Sequence, residues 1–278
     1  MTTAASAWRD EQAFADELAR RAGALLLRSY GRVERISRKS KRDVVTEVDY
    51  ASERLVLDAV RAAYPHDAML AEESGHHEHH RPGGMASGRT WVVDPLDGTV
   101  NYANGIPYFC VSIALVTAER PLMGVVYDPS RDDCYAAVAD GPAQLNGQPV
   151  HASAKKALGD FVVSLAIIGR GGIGRERTIG REIRIPRRMG SAALSLAYVG
   201  SGRFDAFVQN GGLSLWDVAA SGLIAERAGA TVSDLHGGRW WDLERRSATV
   251  SIVAAPQPHH GELLRLLAAA RTGVRTRR

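Results

Sequence analysis

Apolar and polar positions follow two different periods along this chain. Between residues 10 and 30, Phe14, Leu18, Ala22, Leu25 and Leu26 recur at helical spacing with charges opposite them, which predicts an amphipathic helix ended by Gly31. A second helix is expected over 51–64, stopped by Pro65, with a basic, turn-prone stretch between the two. Short apolar runs at 68–71 and 90–93 predict strands, and the His- and Gly-containing stretch 75–88 between them predicts an exposed, mobile loop. From 109 to 139 the runs CVSIALVTA, PLMGVVYD and DCYAAVA, parted by turn residues in ERP and PSRD, read as an antiparallel meander. The second half mixes both periods, with strands expected at 161–168, 204–208 and 251–255 and helices at 191–200, 216–228 and 260–270. That mixed order predicts an α+β fold or a layered α/β sandwich.

Composition narrows the class. With 278 residues, 45% of them apolar, the chain can bury a sizeable core. No apolar run approaches the roughly 20 residues that cross a bilayer. The first residues, MTTAASAWRDEQ, lack a basic-then-apolar leader pattern, so a soluble cytoplasmic protein is expected. Cys110 and Cys134 each lie inside a strand-like run and are expected as buried, reduced thiols. The net charge of +4 gathers in 35–42, in 170–188 and in the tail RTGVRTRR. Solvated surface is the first reading of each cluster and attraction of an anionic substrate the second. Nucleic acid comes behind, because no aromatic residues interleave these runs as a stacking platform would require.

The candidate chemistry lies in acidic residues at element ends: Asp43 with Asp49 in DVVTEVD, Glu72 with Glu73 in AEESG, Asp94 with Asp97 in DPLDGT, and Asp217 in WDVAA. Each has a structural reading. Asp94 and Asp97 could form a turn, Asp49 and Asp217 could cap helices, and Glu72 with Glu73 could be a solvated strand end. Their co-occurrence argues otherwise, since an ionised carboxylate at the edge of a core is costly unless paired or metal-bound. Several gathered together need cations to stay ionised at neutral pH. Hard oxygen ligands without an adjoining Cys or His set point to Mg²⁺, or Mn²⁺, rather than zinc, and magnesium points to phosphate. In DPLDGT, Pro95 stiffens the turn, Gly98 lets backbone approach a ligand, and Thr99 can cap a following helix whose amides face an anion. Two metals bridged by one carboxylate could activate water and hold the leaving oxygen in line.

Taken together, DVVTEVD, AEESG, WVVDPLDGTVNY and WDVAASGLIAERAGA resemble the inositol monophosphatase family of magnesium-dependent, lithium-sensitive phosphatases. The motifs stand in the family's order, and the resemblance covers about 10–270. It implies the layered α-β-α-β-α sandwich of the inositol monophosphatase and fructose-1,6-bisphosphatase type. It also implies a single catalytic domain over 1–278, with a metal-binding half over about 9–150, a half carrying Asp217 and the specificity loops over about 151–270, and a flexible basic tail at 271–278. Glu72, Asp94 and the Leu96 carbonyl would bind a first metal that activates the attacking water. Asp94, Asp97 and Asp217 would bind a second beside the leaving oxygen, and Glu72 with water a weaker third. Thr99, oriented by Asp49, would help take the nucleophile's proton, and the amides of Gly98 and Thr99 would hold phosphate. Glu73 would support this shell, and Lys39 corresponds to a lysine that steers the anion. The resemblance further implies a homodimer and a phosphoric monoester hydrolase acting by direct attack of water.

Substrate choice lies in the second half. Gly190, Ser191 and Ala192 resemble the family's MGSAA element, which meets the alcohol part of the ester. In FDAFVQNGGLSLWD, however, Gln209 or Asn210 stands where inositol-preferring members carry glutamate. Inositol 1-phosphate or a related small polyol phosphate leads. Fructose 1,6-bisphosphate, histidinol phosphate and nucleotide 3'-phosphates stay open, as does a second role in binding RNA or transcription components. Three other signals read as decoys. GRGGIG satisfies the spacing of a dinucleotide-binding loop, but Gly180 and Pro186 interrupt the required helix and a flexible loop is expected. HHEHH, residues 76–80, reads as a solvated loop rather than a metal site. DGT brings to mind aspartyl-phosphate enzymes of the haloacid dehalogenase type, but those need two aspartates separated by one residue, and Asp94 and Asp97 are separated by two.

Overall fold

The computed structural model describes residues 7–32, 36–40, 43–77, 87–169, 172–245 and 247–272. The side chains of 36–40, 43–45 and 270–272 lie outside that description. The first half runs α1 (Arg9–Ser29), a hairpin of β1 (Ile36–Ser40) and β2 (Asp43–Thr46), α2 (Glu47–Ala63), β3 (Ala68–Ala71), β4 (Gly75–His77), β5 (Thr90–Asp97) and the short α3 (Thr99–Ala103). The meander follows as β6 (Cys110–Val116), β7 (Pro121–Asp128) and β8 (Asp133–Val138), trailed by the two-residue strands β9 (Gln144–Leu145) and β10 (Gln148–Pro149). The second half runs β11 (Val162–Ala166), α4 (Gly172–Gly180), β12 (Ile185–Arg187), α5 (Ala192–Gly200), β13 (Ala206–Leu213), α6 (Leu215–Arg227), β14 (Thr231–Ser233), β15 (Val250–Ala255) and α7 (His259–Thr272).

Besides the β1–β2 hairpin, these elements build two larger sheets. The larger has the order β10-β9-β8-β7-β6-β5-β3-β4 and is antiparallel except where β3 joins β5. The smaller has the order β12-β11-β13-β15-β14, with β11 parallel to both its neighbours. The period-2 pattern of the strands explains how the sheets stack. On β6, Val111, Ile113 and Leu115 face a core shared with α1 and α2, while Cys110, Ala114 and Val116 face a second core shared with α5, α6 and the inner side of the smaller sheet. A third core beyond the smaller sheet joins Val163, Leu165, Val208 and Val253 to Ile179 of α4 and to Leu263 and Leu267 of α7. The order is therefore α1/α2, large sheet, α5/α6, small sheet, α4/α7: the layered sandwich expected from the sequence, its central strands buried on both faces.

Several expectations are corrected. The second helix begins at Glu47 rather than 51, because Thr46 and Asp49 close a capping box at its start. Residues 75–77, expected as loop, form β4 against β3, so His76 and His77 are in a strand, while the rest of HHEHH lies outside the described residues. The GRGGIG stretch leads into a real helix, α4, where a flexible loop was expected; burial of Ile179 in the third core outweighs the weak propensity of its glycines. The strand expected at 204–208 is displaced to Ala206–Leu213 and bulges between Gln209 and Leu213. The basic stretch after α1 contains the β1–β2 hairpin, and β9, β10, β12 and β14 are short strands without a periodic signal of their own. Cys110 and Cys134 are buried free thiols, as expected. Among the described residues no helix is long and apolar enough to cross a membrane.

Candidate active site

The site begins with a break in β5. Asp94 pairs with Ser112 of β6 and Asp97 with Cys110, so three residues of β5 span two of its partner. In a regular strand residues 94 and 97 would face opposite sides; the bulge at Pro95 and Leu96 returns both carboxylates to the α5/α6 side. The Leu96 side chain meanwhile stays in the core with α1 and α2. The turn is clamped from two directions. Ser52 of α2 donates to the Pro95 carbonyl at 2.9 Å, and the Leu96 amide donates to Asp94 Oδ1 at 3.0 Å. Gly98 follows with φ 97°, and a Cβ there would sit 3.0 Å from the Tyr108 carbonyl, so only glycine closes this turn.

Asp94, Asp97 and Asp217 bring one carboxylate oxygen each within 4.8 Å of one another. They come from β5 and, far along the chain, from the first turn of α6. Asp217 accepts the Ser214 amide at 2.6 Å in a capping box, so it stands in the third helical position rather than at the cap itself. The start of α6 is docked on β6 by Ser112 Oγ, which donates to the Trp216 carbonyl at 3.3 Å. Glu72 follows β3 and joins these three around a cavity of about 520 Å³ that Leu96, Gly98 and Thr99 also line. Glu73 does not line that cavity; its amide donates to Glu53 Oε2 at 2.8 Å, which pins the turn carrying Glu72 to α2. The backbone of Lys39 lies in β1 and its side chain is outside the described residues, as is that of Asp43 in β2.

Thr99 does not cap a helix as expected. It is the first residue of α3, behind Gly98, and its hydroxyl lies 3.0 Å from Asp49 Oδ1 and 3.0 Å from the Leu96 carbonyl. The other Asp49 oxygen, Oδ2, accepts the Thr46 amide at 2.8 Å and the Thr46 hydroxyl at 2.5 Å. Asp49 thus serves as both capping residue and partner of Thr99. Burial raises its pKa, against the lowering effect of these bonds.

Electrostatics single out Asp94. Burial pushes its carboxyl well above the ordinary carboxylate range, and Glu72, Asp97 and Asp217 push the same way by repulsion. Asp97 is also raised by burial, but Ser191 Oγ and the Ala193 amide donate to its Oδ2 at 2.6 and 2.7 Å, so the N-terminus of α5 holds its charge. Among the described residues lining this cavity no side chain is cationic. The clustered charge calls for compensating cations, and the donors are hard oxygens that fit magnesium.

A second cavity of about 340 Å³ adjoins the first, and Asp97, Gly190, Gly212 and Asp217 line both. Gly190, Ser191, Ala192 and Gln209 all line it, with Ser164, Arg188 and Ser195. Of the two residues left open by the sequence, Gln209 is the one in this cavity; Asn210 is turned to the segment after β11, where its Oδ1 accepts the Ile168 amide at 2.6 Å. Sequence reasoning missed Asn101, although it lies inside WVVDPLDGTVNY. Its buried Nδ2 donates to the Tyr108 and Met189 carbonyls at 2.7 Å each, latching α3 to the segment that leads into β6 and to the loop that carries Gly190. Glu53 was missed too, although it stands one helical turn beyond Asp49.

The layered sandwich gathers buried carboxylates at a strand break, facing a helix N-terminus, in an arrangement that could hold a metal ion. The chain belongs to the inositol monophosphatase family, whose model matches residues 8–273. It is 40% identical over 235 residues to Nus factor SuhB of Pseudomonas aeruginosa, covering 79% of this chain and 83% of that one. It is 38% identical over 231 residues to inositol-1-monophosphatase of Mesorhizobium japonicum, covering 80% and 85%. The solved structure of extragenic suppressor protein SuhB from Bartonella henselae superposes with a TM-score of 0.84 at 34% identity, covering 93% of this chain and 98% of that one. The family acts on small phosphate compounds and is generally magnesium-dependent.

Proposed function

We propose that this chain is a magnesium-dependent phosphomonoesterase that hydrolyses a small polyol or sugar phosphate, the class that includes inositol 1-phosphate, without a covalent enzyme intermediate. The observation that carries this reading is the cluster of Asp94, Asp97 and Asp217 beside a threonine hydroxyl held by a buried aspartate. Glu72, Asp94, the Leu96 carbonyl, Asp97 and Asp217 would hold two or three Mg²⁺ ions, with Mn²⁺ as a substitute. Bound there, such ions would supply the positive charge that draws in a phosphate dianion, acidifies water and stabilises the departing alkoxide.

The chain's own groups do the rest. Thr99 directs its one hydroxyl proton to Asp49 Oδ1; as that proton passes to the carboxylate, the Thr99 oxygen takes one from the attacking water, so the hydroxyl stays neutral. Asp49 keeps Oδ1 for that task because its other oxygen is already engaged by Thr46. The amides of Gly98 and Thr99, at the start of α3, have no intrahelical acceptor and can hold the phosphoryl oxygens. The alcohol part would extend into the second cavity, toward Gly190, Ser191, Ala192 and Gln209. This reading keeps one catalytic domain, a homodimer, a cytoplasmic location in keeping with the free thiols, and sensitivity to lithium.

Steady-state hydrolysis of a phosphate-ester panel with Mg²⁺ titrated, with and without Li⁺, tests it. Mg²⁺-dependent release of phosphate from at least one small ester is expected; a folded, Mg²⁺-binding protein that hydrolyses none would sink the proposal. Relatives named Nus factor motivate a second reading, association with RNA or transcription components. RNA binding that weakens with salt and survives Asp94→Asn would support that role, and its absence at low salt would remove it.

A further inference from the structure

In the α4/α7 layer a separate cavity of about 640 Å³ shares no lining residue with the two described above. Three chain segments form it: 156–159 ahead of β11, 181–182 after α4, and one face of α7. Each brings one exposed cation, Lys156, Arg181 and Arg265. Neighbouring cations are engaged in the fold, Lys155 with Asp205 at 2.7 Å and Arg184 with Asp160 at 2.6 Å. Lys156, Arg181 and Arg265, by contrast, have no hydrogen-bond or ion-pair partner among the described residues. Three unpaired cations around one hollow favour an anion that carries more than one charge.

The rest of the lining has a different chemistry. His259, only 4% exposed, packs edge-on against Phe161 with ring centroids 4.6 Å apart, and its Nδ1 lies 2.8 Å from Glu262 Oε2. With the Nδ1 proton held by that carboxylate, Nε2 is left as an acceptor, and it has no partner among the described residues. Glu182 and Glu262 add carboxylate acceptors, and Leu158 and Leu266 an apolar wall. A bare inorganic anion has no use for acceptors or for apolar surface, and carboxylates repel it. A molecule with several negative charges at one end and a neutral body bearing hydroxyl and amino groups at the other makes use of every part of this lining. The volume lies in the range of about 300–1,000 Å³ that holds ligands of that size.

We propose that this cavity binds a nucleoside polyphosphate, with the phosphates on Lys156, Arg181 and Arg265 and the sugar and base against His259, Glu262 and the two leucines. The site is separate from the Asp94 cluster, so the proposal does not depend on the phosphatase reading. Calorimetric titration of the full chain with ATP and with GTP tests it, in EDTA and again with Mg²⁺, at about 150 mM salt so that loose charge attraction is screened. One saturable site per chain is expected in both buffers for at least one of the two nucleotides. Arg181→Ala and Arg265→Ala should each weaken that binding about tenfold, while Arg188→Ala leaves it unchanged. Inorganic triphosphate and the matching nucleoside, each offering half of the contacts, should bind at least about tenfold more weakly than the nucleotide. Neither Arg181 nor Arg265 has a partner to lose, so both variants should melt within about 1 °C of the wild type. The proposal is overturned by the lack of a saturable site, by triphosphate binding as tightly as the nucleotide, or by binding seen only with Mg²⁺. A loss in Arg188→Ala without one in Arg181→Ala and Arg265→Ala would overturn it as well, since the nucleotide would then lie in the second cavity.

Discussion

The two adjoining cavities are built in opposite ways. Around the first, Asp94 is sealed from solvent, Asp97 is gripped by a helix N-terminus, and Thr99 and Asp49 hold each other over a capping box. Around the second, Gln209 is half-buried beside a glycine bulge, and the Arg188 side chain is 56% exposed with one carboxylate partner. The first is rigid because burying like charges demands compensation on every side. The second can change residue by residue at little structural cost. Chemistry and selectivity should therefore respond to substitution separately.

Asp94→Asn is the harshest test of that separation. It should lower kcat/KM for every ester by about a thousandfold or more. In Mg²⁺-free buffer at neutral pH it should also raise Tm by about 2–4 °C, since it removes a repelled, buried charge. The sign follows from linkage. A carboxyl raised on folding holds its proton longer in the native state, so metal-free stability falls as pH rises from the ordinary value of 3.8 through the elevated one. Thermal melts across that range should show this slope in the wild type and a smaller one in the variant; identical slopes would break the account of Asp94.

Thr99→Val comes next. Removing the hydroxyl while keeping the shape should lower kcat about a hundredfold with Mg²⁺ binding retained by calorimetry. A lost metal would mean that Thr99 supports the ligand cluster rather than the proton. Asn101→Ala should act on both cavities at once, since it strands the buried Tyr108 carbonyl and the half-buried Met189 carbonyl and unlatches the Gly190 loop from α3. A loss of about 1–3 kcal/mol in denaturant unfolding is expected, with KM rising more than kcat falls. The smallest effect belongs to Gln209→Glu, which adds an acceptor to the second cavity. It should change the relative kcat/KM values across the phosphate-ester panel by about threefold, with Mg²⁺ dependence unchanged. A change in metal dependence there would show that the two cavities are not separable.

Legibility from sequence followed the range of the contacts. The meander, α1 and the Asp94–Asp97 turn depend on residues within a few positions of each other, and their patterns were readable. The helix at Gly172–Gly180 was not, because its stability comes from Ile179 packing in the third core rather than from its own glycine-rich composition. Asn101 escaped for a similar reason: nothing in its neighbours shows that its amide reaches a carbonyl 88 positions away. The basic cluster at 170–188 read as solvated surface, and much of it is, with Arg184 on Asp160; Arg188 alone of its described members lines the second cavity.

By itself the sequence determined the acidic residues, the glycine turn that follows two of them and the motif order that marks the family, because such motifs join residues that are neighbours in the chain. Only the tertiary structure decided that a bulge turns Asp94 and Asp97 to one side, that Thr99 meets Asp49 across 50 positions, and that Gln209 rather than Asn210 enters the second cavity. These are choices of face and direction. A strand reverses its face with a one-residue slip, and a side chain's direction follows from the backbone around it, so neither is set until the sheets and helices have packed.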